Sequence, residues 1–125
     1  MAVIGGQRPG EFGLTLLVTD VPVAAQFYAE VLGAEEVRRH RAEGLRDVPD
    51  GTVTAAEMRL SGVMFMLSMQ NPRFRDGKWI DARRPDWPRS PEAAGTTTTS
   101  FALYVDDVDA TLAKALARGA TLMHP

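Results

Sequence analysis

Apolar and polar positions alternate between two rhythms along this chain. Residues 12–18, Phe-Gly-Leu-Thr-Leu-Leu-Val, form an apolar, partly β-branched run that predicts a strand. Asp20 then stands where a helix N-cap belongs, and Pro22 is tolerated in the first turn. Ala24, Phe27, Tyr28, Val31 and Leu32 follow at the spacing of one helical stripe, and Gly33 supplies the left-handed stop. Residues 36–42 predict an exposed strand. Residues 52–60 and 63–69 predict two more, joined by a tight hairpin at Ser61-Gly62. The predicted order is β-α-β-β-β.

Residues 70–99 break this pattern. The segment carries Pro72, Pro85, Pro88 and Pro91, sets Phe74, Trp79 and Trp87 among several arginines, and ends in the run Thr96 to Thr99. So long a connection is uncommon in a compact domain and is usually functional or disordered. Residues 100–105, Ser-Phe-Ala-Leu-Tyr-Val, then predict a further strand. Asp107 is its helix cap, Val108, Leu112, Ala115 and Leu116 the helix face, and Gly119 the stop. Residues 120–123 begin another strand.

Val18-Thr19-Asp20-Val21 recurs as Val105-Asp106-Asp107-Val108, each after a strand and before a helix stopped by Gly-Ala, at Gly33-Ala34 and Gly119-Ala120. An offset of 87 residues is too long for a solenoid unit. It fits two copies of one module, the second preceded by an insertion.

These residues carry a family resemblance. Leu17 to Asp20 with Phe27-Tyr28-Ala29-Glu30-Val31-Leu32-Gly33-Ala34 resembles the first-module signature of the glyoxalase/bleomycin-resistance/dioxygenase (vicinal oxygen chelate) superfamily. Tyr104 to Ala110 with Arg118-Gly119-Ala120 resembles the start of its second module, particularly in the PhnB-like and bleomycin-resistance-like branches. The resemblance implies an α+β fold of paired βαβββ modules whose curved sheets surround a cavity. It divides residues 1–125, read as a single domain, into module one at about 12–69, a loop at 70–99 and a partial module two at 100–125. Members of the family complete the second module with three strands after its helix. The expectation is therefore either a fragment or a sheet completed by a partner chain.

The resemblance also frames the chemistry. Metalloenzymes of the superfamily hold a divalent ion with His or Gln on the first strand of each module and Glu on the last. The corresponding first-strand positions are Gly13 and Ser100, and residues 63–69 contain no carboxylate. His40 and His124, the only histidines, read as surface residues, and Glu57 as solvated or paired across strands. No metal or other cofactor is expected, nor any catalytic residue. Strand parity puts Leu14, Leu16 and Val18, and likewise Phe101, Leu103 and Val105, against the helices. Thr15, Leu17, Met64, Met66, Ser68, Ala102 and Tyr104 then fall on the opposite, ligand-binding side, unless they are ordinary core between two sheets. Trp79 and Trp87 are candidates to close over the cavity mouth by stacking on a flat ligand; anchoring the loop or a dimer contact is the competing reading.

Composition changes little. A net charge of −2 favours neither nucleic acid nor an anionic membrane. The lack of cysteine excludes disulfides and thiolate chemistry, and fits a cytoplasmic protein. The expected function is metal-independent binding of a small molecule, an antibiotic or aromatic metabolite, by a homodimer of the kind relatives form. The alternative is a glyoxalase-like or dioxygenase-like metalloenzyme.

Overall fold

The computed structural model describes residues 10–45, 48–70, 74–75, 78–79 and 89–124, with 74–75 and 78–79 described by backbone alone. Strand β1 (Gly13–Val18) leads into helix α1 (Val21–Leu32), then β2 (Glu35–Arg41), β3 (Val53–Leu60) and β4 (Val63–Met69). These strands form a mixed, open sheet in the order β1-β4-β3-β2, with β1 parallel to β4 and the other pairs antiparallel. The predicted β-α-β-β-β unit is therefore present. Short strands β5 (Phe74–Arg75) and β6 (Lys78–Trp79) pair with each other where no strand was expected. A one-turn helix α2 (Pro91–Ala94) and helix α3 (Val108–Ala117) follow.

Local chemistry accounts for the element boundaries. The Asp20 carboxylate accepts the Val23 N–H at 3.0 Å, satisfying one of the donors that a helix start leaves orphaned. Asp107 does the same for Ala110 at 2.9 Å. Gly33 closes α1 at φ 76°, where its N–H reaches the Ala29 carbonyl. Ser61 and Gly62 both adopt positive φ, 51° and 78°, as a two-residue hairpin turn requires. Replacing Asp20 by Ala is expected to cost about 1 kcal/mol in urea unfolding. Asp107→Ala should cost less, because α3 has no fully buried residue to transmit the loss.

One face of the sheet packs on α1. Val21 and Ala25 of the helix, with Ala34, meet Ala56 and Met58 of β3 and Phe65 and Leu67 of β4; Leu16, Val18 and Tyr28 pack around them. Helix α3 lies beside α1, joined by an ion pair between Arg118 and Glu30. No described helix is long and apolar enough to cross a membrane.

The second module opens but builds no sheet among the described residues. Residues 100–105 form no strand, and Tyr104 is 97% exposed and Phe101 52%. Their largely apolar composition favours extended backbone, but a strand exists only when a neighbour takes its hydrogen bonds, and no described strand pairs with them. Residues 120–123 form none either, for the same reason. The described residues thus hold one complete β-α-β-β-β module with an open four-stranded sheet and, beside it, a second, incomplete module represented by residues 100–105 and α3. Leu14, expected against a helix, is 41% exposed and lines a groove with residues 101–103.

Candidate functional site

The sheet face turned away from α1 is built in rows. Strand register aligns Thr15, Met66, Glu57 and Arg38 in one row, and Leu17, Ser68, Ala55 and His40 in the next. Gly13, Met64, Arg59 and Glu35 form a third. Arg59 is held by Glu11 at 2.7 Å. Of the two sequence readings of Glu57, the solvated one is corrected, since the residue is only 1% exposed, and the cross-strand one agrees with a neighbour on β2. The Nε2 of His40 stands 3.6 Å from Glu57 Oε1, and the His40 side chain is 28% exposed. It is thus a half-buried residue of the sheet and not a surface one. Alternation of Ala55, Glu57 and Arg59 with core residues gives the face of the carboxylate but not its burial.

Strand β1 is an edge of the sheet, and its backbone has a definite orientation. The Val18 carbonyl accepts from Gln70 N–H at 3.3 Å, so it points toward β4. In a parallel ladder alternate residues turn the same way, which directs Leu14, Leu16 and Val18 inward and the N–H and C=O of Thr15 and Leu17 outward. A cleft of about 530 Å³ runs along this outward edge, between residues 15–19 and the facing segment 89–101. Polar contacts hold that segment in place. Thr19 donates to Glu92 at 3.0 Å, and Gln70 Oε1 accepts from Ser90 Oγ at 2.8 Å. Ser90, 1% exposed, in turn caps α2 by accepting the Ala93 N–H. Thr97 closes a small turn onto Thr99. The cleft offers apolar side chains, a row of threonine hydroxyls and outward backbone groups, within the usual size range for small-molecule sites.

A second, almost wholly apolar groove of about 270 Å³ lies between Leu14, Leu16, Leu60 and Phe65 on one side and residues 101–103 on the other. Tyr28 borders both openings. Its ring meets those of Phe65, Phe27 and Phe101 at centroid separations of 5.2, 5.7 and 6.2 Å. Burial holds the Tyr28 phenol above its ordinary pKa of 10.0, so it stays neutral at physiological pH.

The residues singled out in the sequence are dispersed. Thr15 and Leu17 line the larger cleft, and Ala102 lines the apolar groove. Met66 and Ser68 lie on β4 beside Thr15 and Leu17 but border neither opening. Met64 is 3% exposed and packs against Gly13, where an added Cβ would come within 3.1 Å of the Met64 carbonyl oxygen and 3.2 Å of its sulfur. Tyr104 faces solvent. The Trp79 side chain and the whole of Trp87 lie outside the described residues. Sequence reasoning did not assign Tyr28, Phe101 or Thr96 to Thr99 to a site. Tyr28 falls on the helix stripe and reads as core; its hydroxyl was the one hint that the position meets a polar opening. Among the described residues, no three His, Cys, Asp or Glu side chains gather closely enough to hold a metal.

Comparison with known proteins places this geometry. A family model for the glyoxalase/bleomycin resistance protein/dioxygenase superfamily matches residues 13–125. An uncharacterized protein of Mycobacterium bovis is 32% identical over 108 residues, covering 86% of this chain and 61% of its own length. An uncharacterized protein of Mycobacterium tuberculosis H37Rv is also 32% identical, over 86% of this chain and 55% of its own. The chain thus spans little more than half the length of these relatives. A crystal structure of an Arabidopsis thaliana gene product superposes with a TM-score of 0.60 and 25% identity, covering 89% of this chain and 74% of that one. The fold and the matched length agree: the chain belongs to the glyoxalase/bleomycin resistance protein/dioxygenase superfamily.

Proposed function

We propose that this chain binds a flat or extended small molecule in the cleft along β1 and sequesters it without a catalytic metal, in the manner of the bleomycin-resistance branch. The observation that carries the reading is the cleft itself. It sets outward backbone groups and threonine hydroxyls beside Leu17 and Phe101, a combination that orients a ligand through a few hydrogen bonds and binds it through apolar contact. An antibiotic or an aromatic metabolite has that chemistry. The family resemblance adds a homodimer, and the absence of cysteine fits the cytoplasm.

The donor set supports metal independence. Where metal-binding relatives carry an imidazole, this chain has Gly13, and Met64 occupies the space beside it. The facing positions on β4 are Met64, Met66 and Ser68, whose thioethers and hydroxyl are poor ligands for the divalent ions that imidazole and carboxylate hold. Glu57 stands one strand further away, on β3.

Calorimetric titration with a panel of aromatic antibiotics and metabolites tests the reading. One compound class should bind saturably, and Leu17→Asp should weaken it by at least about tenfold, because a carboxylate must then be desolvated in the cleft wall. Because Leu17 is half-buried within β1, the melting temperature of the variant should fall, and binding is compared at a temperature where both proteins are folded. Quenching of tryptophan fluorescence by the same compound, lost on Trp79→Phe or Trp87→Phe, would support the stacking role read from the sequence. Absence of saturable binding across the panel would sink the proposal. Stoichiometric nickel, zinc or iron in the purified protein would replace it with the metalloenzyme reading.

A further inference from the structure

The second edge of the sheet, β2, has the sequence Glu-Glu-Val-Arg-Arg-His-Arg, with acids at one end and bases at the other. No described strand pairs with its outer side. Charges on an edge strand ordinarily prevent pairing, and an edge of one sign does so most effectively. β2 departs from that pattern, because reversing its direction brings its acids over its bases.

The register shows how far this complementarity extends. Glu36 pairs with Met58 and Arg39 with Ala56, so both project to the α1 side of the sheet. A bulge at Val37 is what places residues three apart on one face, and there Arg39 grips Glu36 at 2.7 Å. Glu35, Arg38 and His40 pair with Arg59, Glu57 and Ala55, and project to the other side. A two-fold axis through the sheet between Val37 and Arg38 keeps every face in place. It sets Glu36 opposite the partner's Arg39, and Glu35 opposite the partner's His40. Two Glu36 and two Arg39 side chains then alternate in one four-charge network. Parallel pairing would oppose Glu to Glu and Arg to Arg, and an antiparallel shift by one residue would bring Arg38 onto itself. Like charges directly opposite are destabilising. The charge order therefore favours the antiparallel orientation, and this register sets two Glu36–Arg39 pairs across the axis.

We propose that the outer edge of β2 is a self-recognition surface, at which two copies of this chain join antiparallel and extend the sheet from four strands to eight. This deepens the dimer reading above by naming its interface; ligand binding in the β1 cleft does not depend on it. The contact is small for a protein interface, so the dimer should be weak, of about micromolar dissociation constant or weaker, and sensitive to salt.

Sedimentation velocity over a range of concentrations tests it, with variants of one charge sign. Glu35→Arg with Glu36→Arg makes the edge basic, and Arg38→Glu with Arg39→Glu makes it acidic. Each should be monomeric alone, while an equimolar mixture should restore a heterodimer that dissociates at high salt. Hydrogen exchange on the unaltered chain supplies a readout free of mutation, and amides of residues 35–41 should gain protection as concentration rises. A wild-type chain that stays monomeric at every concentration overturns the proposal. So does a dimer that survives in both one-signed variants, since it must use another face. Concentration-independent exchange at 35–41 in a dimeric sample has the same consequence, even where a variant fails to fold.

Discussion

Leu67→Ala should lower unfolding stability by about 3 kcal/mol, within the roughly 2–5 kcal/mol measured when buried leucines are truncated. For a chain of 125 residues that corresponds to a fall of about 10 °C in melting temperature. Leu67 is fully buried at the centre of β4, a strand paired on both sides, and it packs among Ala56, Met58 and Phe65 under Val21 and Ala25 of α1. The cost exceeds simple hydrophobic transfer because strands held on both sides cannot close over the lost volume. Val63→Ala on the same strand supplies the contrast. Val63 is 56% exposed, so its truncation should change the urea midpoint little. Comparable losses for the two variants would mean that β4 does not carry the core.

That core was legible from local pattern. Helix α1 declares itself by Asp20, an apolar stripe and Gly33, all interactions within a few residues. Strands β3 and β4 declare themselves through the Ser61-Gly62 turn, whose positive φ values only a few residue pairs accept. The bulge at Val37 was not legible, because the extra residue is defined by what β3 places opposite it. Residues 100–105 show the same limit more strongly. Their composition predicts a strand that the structure does not form, because strand formation belongs to the pair and not to the segment.

The site divides along the same line. Alternation along β1 places Thr15 and Leu17 on one side, but Leu16 and Val18 line the same cleft, so parity along one strand does not single out its wall. Sequence cannot say that Met64 fills the space beside Gly13, since that contact crosses from β1 to β4. Nor does parity distinguish a solvated carboxylate from Glu57, whose burial comes from tertiary packing. Thr96 to Thr99 read as a lead-in to a strand. Their role as a cleft wall depends on Ser90 and Glu92 being tied to Gln70 and Thr19.

Tyr28 is where core and cleft meet, and its removal should disturb both. Complete truncation of a buried aromatic costs about 3–5 kcal/mol, and a half-buried one roughly half of that, so Tyr28→Ala should lose about 2 kcal/mol. The ring separates the larger cleft from the apolar groove, so the same variant should also weaken ligand binding in the β1 cleft. Tyr28→Phe distinguishes ring from hydroxyl: it keeps the aromatic contacts with Phe27, Phe65 and Phe101 and should retain most of the stability. The hydroxyl has its own signature in alkali. Burial raises the folded-state pKa above the 10.0 of the unfolded chain, so the unfolded state releases its proton first. The associated stability is therefore fully present below pH 10.0 and is lost as pH rises from there through the folded value. Urea unfolding at neutral and alkaline pH should show a steeper alkaline decline for the wild-type chain than for Tyr28→Phe. Equal slopes would mean that the phenol is as well solvated folded as unfolded, and the boundary between cleft and groove would have to be drawn without it.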